Sequence, residues 1–138
     1  MFNNLKNILI VDDSPDYRFL FETLITQHGL SPICMKDGDK AIEYLKSHSV
    51  DVIITDFRMP KVDGIELLHW CRAHDILCPV IFTTAEDNIF AREELALGDC
   101  CATLMRKPVD ARLLQAALEA ADRFDHHRDC VHSTFKAA

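Results

Sequence analysis

The chain has 138 residues, enough for one domain with a proper core. Apolar residues make up 49% and charged residues 27%, and the net charge of −7 (15 basic against 22 acidic) argues against direct nucleic-acid binding by this domain, which needs a basic surface. No apolar run approaches the ~20 residues of a membrane span, and Met1-Phe2-Asn3-Asn4-Leu5-Lys6 lacks a signal-peptide pattern.

Strands and helices are expected to alternate. Strand one is predicted at about 7–12, where Ile8-Leu9-Ile10-Val11 runs into Asp12 and Asp13. Pro15 suits a first helical turn, with Ser14 or Asp13 as cap. Helix one follows to about 28 with Phe19, Leu20, Leu24 and Ile25 at helical spacing, and Gly29 closes it. Strand two is short, near 32–35. Asp37-Gly38-Asp39 reads as a turn, and Ala41, Ile42 and Leu45 mark helix two. Strand three, 51–55, leads to Asp56. Met59-Pro60-Lys61-Val62-Asp63-Gly64 has loop chemistry, and helix three carries Ile65, Leu67, Leu68 and Cys71. Pro79 opens strand four, Val80-Ile81-Phe82-Thr83, which ends at Thr84. Helix four is predicted from about 87 to 97, ending at Gly98. Strand five lies near 102–106, before Lys107-Pro108. Helix five, about 110–124, carries Leu113, Leu114, Ala117, Leu118 and Ala121.

Five βα units of this length imply a parallel sheet covered on both faces by helices, an α/β fold. Residues 1–125 form the expected domain. Residues 126–138 lose the apolar period and read as a helix extension followed by a frayed tail or linker stub. The six cysteines, Cys34, Cys71, Cys78, Cys100, Cys101 and Cys130, form no CxxC pair. A domain with an evident core has little need of disulfides, so reduced thiols and a cytoplasmic location are expected. The adjacent Cys100 and Cys101 read as two small residues leading into a strand. His69, His74, His126, His127 and His132 have no credible metal-ligand spacing, and His28 and His48 fall near helix ends.

In an open parallel sheet the carboxyl ends of the strands form a ligand crevice. Asp12, Asp13 and Asp56 would meet there, with the Thr84 hydroxyl and the Lys107 ammonium. The loop after strand one, Asp12-Asp13-Ser14-Pro15-Asp16, would repel a phosphate, unlike the glycine-rich loops that cradle nucleotides or flavin. Such a crevice wants a cation first, and Mg²⁺, a hard ion that prefers oxygen ligands, suits it. Without metal, close like charges should raise at least one carboxylate pKa. Asp56 is then the expected phosphoacceptor, with Mg²⁺, Lys107 and the Thr84 hydroxyl neutralising the incoming phosphoryl oxygens. Alone, each residue has a bland explanation as a turn, cap or surface residue. Their occurrence together, in order, at successive strand ends favours the site.

Over about residues 6–124 the chain resembles a response-regulator receiver domain of two-component signalling. The resemblance lies in Val11-Asp12-Asp13, in Thr55-Asp56-Phe57-Arg58-Met59-Pro60 with Asp63-Gly64, in Pro79-Val80-Ile81-Phe82-Thr83-Thr84-Ala85, and in Lys107-Pro108. It implies a flavodoxin-like, doubly wound five-stranded parallel sheet of strand order 2-1-3-4-5 with five helices. It also implies a phosphorylation switch rather than an enzyme acting on other molecules: Asp56 takes a phosphoryl group from a histidine kinase or histidine phosphotransfer protein, and the domain catalyses only its own phosphorylation and hydrolysis. Asp13, Asp56 and the Arg58 backbone carbonyl would ligate Mg²⁺, with Asp12 acting through water. Thr84, the Ala85 backbone N–H and Lys107 would hold the phosphoryl oxygens. The output would be a changed surface on helix four, strand five and helix five, read by an effector domain or output protein, with a homodimer left open. Thr84 rather than Thr83 fits the switch position, Thr83 pointing to the opposite face of the strand.

Two departures stand out. Leu104, three residues before the lysine, replaces the usual aromatic of the switch, and Val109 stands where an aromatic is common. Arg58 and Glu86 carry opposite charges at the positions that tune phosphoryl lifetime. They either pair across the mouth and slow hydrolysis or form an exposed pair contributing ~0–1 kcal/mol. Two other functions compete. A haloacid-dehalogenase-like phosphatase needs a second acid two residues after its nucleophile, where this chain has Arg58. A receiver-like binding module without a phosphorylation switch fits Leu104, but not the complete set of acids, hydroxyl and lysine.

Overall fold

The computed structural model describes residues 2–85 and 101–123. Five parallel strands form one sheet: β1 (Asn7–Val11), β2 (Ser31–Met35), β3 (Val52–Asp56), β4 (Val80–Thr84) and β5 (Ala102–Arg106), in spatial order β2-β1-β3-β4-β5. The order is the expected 2-1-3-4-5. Among the described residues, four helices connect and flank them: α1 (Pro15–Gln27), α2 (Gly38–Leu45), α3 (Gly64–Ala73) and α4 (Ala111–Arg123). The helix here called α4 is the one expected over 110–124. The helix expected over 87–97, with Gly98 and Glu86, lies outside the described residues, as do Cys100 and the tail with its boundary at 125.

Burial explains the sequence pattern. β3 and β4 are buried at every residue, because helices cover both faces of the sheet, and so they read as unbroken apolar runs. The edge strand β2 is half-exposed and carries Pro32. Alternate residues along each strand serve two cores. Ile8, Ile10, Val52, Ile54, Ile81 and Met105 pack against Phe21 and Ile25 of α1 and Leu114, Leu118 and Ala121 of α4. Leu9, Val11, Ile53, Val80 and Phe82 pack against Ala41 and Leu45 of α2 and Leu67, Leu68 and Cys71 of α3. Each large side chain so buried contributes about 1.5–3 kcal/mol of transfer free energy.

Helix ends follow local chemistry. Ser14 is the N-cap of α1, its hydroxyl accepting from the Tyr17 N–H, and Pro15 opens the first turn. Gly29 ends that helix at φ +75°, where a side chain would be strained. Asp63 and Glu66 close a reciprocal capping box at the start of α3. One local reading is corrected: Asp37-Gly38-Asp39 is a helix start rather than a free turn. The Asp37 carboxylate accepts the Lys40 N–H at 2.8 Å, and Gly38 already lies in α2. The glycine answers a packing need, since a Cβ there would sit 2.5 Å from the Val62 carbonyl oxygen.

His28 caps the end of α1 and His48 follows the end of α2, as expected; His48, and His74 at the end of α3, share a device that the residue types alone do not reveal. Each imidazole stacks on the aromatic residue four positions earlier, Tyr44 or Trp70, with ring centroids 4.2 Å apart. Its Nδ1 meets that residue's carbonyl oxygen at 3.2 or 2.7 Å. The described cysteines, Cys34, Cys71, Cys78 and Cys101, are not in disulfide bonds.

Candidate functional site

The site lies at the carboxyl ends of β1, β3, β4 and β5. Register places its parts. Val11 of β1 pairs with Thr55 of β3, so Asp12 and Asp56 end adjacent strands at the same level. Asp56 is opposite Thr83 of β4, and the Lys107 N–H donates to the Thr84 carbonyl at 2.8 Å. Thr84 therefore lies between the strand ends that carry Asp56 and Lys107. Its side chain is buried, on the sheet face of Phe82. The Thr83 hydroxyl instead donates to the Thr55 carbonyl at 3.5 Å. Ala85 and Arg58 sit exposed at the rim, the Arg58 guanidinium 4.9 Å above the Phe57 ring centroid.

Carboxylate oxygens of Asp12, Asp13 and Asp56 lie within 4.8 Å of one another, the only such acidic, histidine or cysteine group among the described residues. Asp12 and Asp56 are buried and Asp13 is exposed. The Lys107 side chain reaches back over the sheet end, its Nζ 3.1 Å from Asp12 Oδ2 and 3.5 Å from Asp56 Oδ2. The shorter approach is an ion pair without hydrogen-bond alignment, so Asp12 Oδ2 is buried with no hydrogen-bond donor. Its partner oxygen, Oδ1, accepts the Ser14 N–H at 2.9 Å.

One ammonium among three carboxylates leaves the centre negative. Burial, together with the charges of Asp12 and Asp13, pushes the Asp56 carboxyl up to about 6 against the pull of Lys107. Burial works to lower the Lys107 pKa, but contact with Asp12 and the charge of Asp56 outweigh it, and the net direction is up. A buried oxygen that lacks a donor, beside two more carboxylate oxygens, fits a hard divalent cation.

The neighbours that hold this arrangement were not evident from residue types. Arg18 donates from Nη1 to the Asp12 carbonyl at 2.7 Å, and Lys107 Nζ lies 4.1 Å from the Tyr17 ring centroid. Both residues stand in the first turns of the helix that follows the acidic pair, the one feature of the sequence that could have pointed to them. Gly64 lies beneath the site, where a Cβ would come within 2.6 Å of the Asp56 carbonyl oxygen and 2.9 Å of the Phe82 ring.

Comparison with known proteins adds the family. The response regulator receiver domain model matches residues 8–119. The chain belongs to that family. It is 30% identical over 118 residues to the alkaline phosphatase synthesis transcriptional regulatory protein PhoP of Bacillus subtilis, covering 83% of this chain and 48% of that one. It is 31% identical over 120 residues to the transcriptional regulatory protein TrcR of Mycobacterium tuberculosis, covering 87% and 46%. The chain thus spans about half the length of these curated relatives. Among solved structures, the receiver domain of the Francisella response regulator 1452 superposes with a TM-score of 0.75 at 26% identity, covering 86% of this chain and 97% of that one. The Vibrio cholerae chemotaxis protein CheY4 shares the fold with a TM-score of 0.77 at 24% identity, covering 85% and 98%. As a receiver domain the chain is a regulator of the two-component class, and no described helix is long and apolar enough to cross a membrane.

Proposed function

We propose that this domain is a phosphoacceptor switch in which Asp56 is phosphorylated by a histidine kinase or histidine phosphotransfer protein in the presence of Mg²⁺. The observation that carries the reading is the Asp12 Oδ2 atom, buried without a hydrogen-bond donor beside Asp13 and Asp56 and faced by Lys107. Asp12, Asp13, Asp56 and the Arg58 carbonyl would hold the cation. Bound there, Mg²⁺ supplies positive charge against the phosphoryl oxygens. An Asp56 carboxylate oxygen attacks phosphorus. The bond from phosphorus to the donor's imidazole nitrogen breaks, and the electron pair leaves with that nitrogen, which then takes up a proton. Lys107, the Thr84 hydroxyl and the Ala85 N–H hold the three phosphoryl oxygens, and a later attack by water returns Asp56 to its carboxylate.

Phosphorylation then stabilises one of two surface arrangements through these contacts. In this reading the changed surface is that of β5, the flanking α4 and the helix expected over 87–97. An effector domain or output protein, or a second copy of the chain, reads it in the cytoplasm, with residues 126–138 as the tail or linker. The alternative, a receiver-like binding module with atypical switching, draws on Leu104. It sits opposite Phe82 in the β4–β5 register, half-buried, with no ring or hydroxyl to follow Thr84. One experiment separates the two. Incubation with acetyl phosphate and Mg²⁺ should add the mass of one phosphoryl group to the protein and none to Asp56→Asn. An unmodified wild-type protein would leave the binding module.

A further inference from the structure

Among the described residues, three side chains meet the Lys107 ammonium, and two of them are acids. The ammonium lies between Asp12 Oδ2, Asp56 Oδ2 and the face of the Tyr17 ring, whose centroid is 4.1 Å away. The Tyr17 backbone N–H donates to the Ser14 hydroxyl, and the ring lies tilted at 36° to the fully buried Phe21 ring, centroids 6.0 Å apart. A cation over a tyrosine face is attracted by the ring quadrupole, the more so where water is excluded, and the Lys107 side chain is only 10% exposed.

The three contacts differ in what survives when the site is used. Carboxylate oxygens that serve a dication are no longer free to balance an ammonium, and Lys107 then faces added positive charge at short range. The ring does not compete for those oxygens. Its attraction for the ammonium is the same whichever cation the carboxylates face.

We propose that Tyr17 is a positioning residue for Lys107: the ring face keeps the ammonium over the site when the carboxylates are engaged, so that it is in place to meet a phosphoryl oxygen. The inference rests on the phosphoacceptor reading given above. It assigns to the first turn of α1 a part in the chemistry beyond that of joining a strand to a helix.

Two measurements test it. In the metal-free protein, the ε-methylene resonance of Lys107, assigned by its absence in Lys107→Arg, should be shifted upfield by the ring. The shift should persist when Mg²⁺ is added, remain in Tyr17→Phe and vanish in Tyr17→Leu. Phosphorylation by acetyl phosphate should be about fivefold slower in Tyr17→Leu and be restored by Tyr17→Phe, which keeps the ring face. An unshifted Lys107 resonance in the wild type overturns the proposal even if Tyr17→Leu fails to fold. Equal slowing in Tyr17→Phe and Tyr17→Leu overturns it too, by placing the effect in the hydroxyl. A wild type that is phosphorylated while Tyr17→Leu keeps pace refutes this inference alone. A wild type that stays unmodified removes the phosphoacceptor reading and this inference with it.

Discussion

Replacing Asp56 with asparagine should stabilise the protein. The folded-state carboxyl titrates near 6 instead of its ordinary 3.8, because burial and the charges of Asp12 and Asp13 disfavour the ionised form more than Lys107 supports it. Each pKa unit is about 1.4 kcal/mol, so the rise corresponds to at most about 3 kcal/mol. The sign follows from proton binding. Between 3.8 and 6 the folded state holds more protons at this position than the unfolded chain does, so stability falls as pH rises through that window. Below 3.8 the contribution is intact, and above 6 it is fully lost. Asparagine has no charge to confine. The expected gain at pH 7.5 in the absence of divalent cations is therefore about 1–3 kcal/mol, shrinking toward zero at pH 3.5. Urea unfolding followed by the fluorescence of Trp70, the only tryptophan, measures it at the two pH values. Added Mg²⁺ should stabilise the wild type more than the variant, because it binds the folded site and not the unfolded chain. A variant no more stable than wild type at pH 7.5, or an advantage equally large at pH 3.5, would refute the electrostatic account.

Two further substitutions probe the frame around the site. Gly64→Ala would place a methyl group 2.6 Å from the Asp56 carbonyl oxygen and 2.9 Å from the Phe82 ring, both parts of a packed core. A loss of about 1–3 kcal/mol in thermal or urea unfolding is expected, and an unchanged midpoint would show that the loop gives way freely. At the other end of the molecule, the Asp122 carboxylate in the last turn of α4 accepts the N–H groups of Asn3 and Asn4 at 2.6–3.1 Å. Asp122→Ala should release this N-terminal strap, seen as faster amide hydrogen exchange at Asn3 and Asn4. Stability should fall by no more than about 1 kcal/mol, since the bonds are exposed and the acid opposes the helix dipole.

The parts of this molecule that were readable from residues alone share one property: they depend on chain-local chemistry. Runs such as Val52-Ile53-Ile54 and Val80-Ile81-Phe82 have few fates other than a doubly covered strand, and alternation with amphipathic helices limits the winding. Once the strands are set, Asp12, Asp13, Asp56, Thr84 and Lys107 fall at one sheet end because each directly follows or closes a strand. The strand before Lys107 is Ala102–Arg106, as expected, although its edge position leaves it only partly buried. What the sequence does not show depends on side chains meeting across long separations. Periodicity places Tyr17 on α1 but does not say that its ring meets a lysine 90 residues later. The start of α2 differs from the expected turn for a related reason. Asp37-Gly38 is the same dipeptide in a turn and in a helix cap, and only the closeness of Val62 shows why the glycine is there.

The elevated Asp56 pKa and the unfilled Asp12 lone pair are two signs of one imbalance: too many negative groups are buried for the single ammonium that meets them. A stability-optimised site would lose an acid or gain a base. Here the imbalance keeps Asp56 costly to ionise and Asp12 short of a donor, so whatever brings positive charge or removes the free carboxylate is favoured by the fold itself. A cation does the first, and esterification of Asp56 does the second. Both should therefore tighten the same strand ends, and the domain should be at its least stable in the state that waits for a signal. On the proposed phosphoacceptor reading, that coupling would make the site a switch element instead of a passive cation trap, because the free energy released at the carboxylates would be available to bias the β4 and β5 ends to which Thr84 and Lys107 belong.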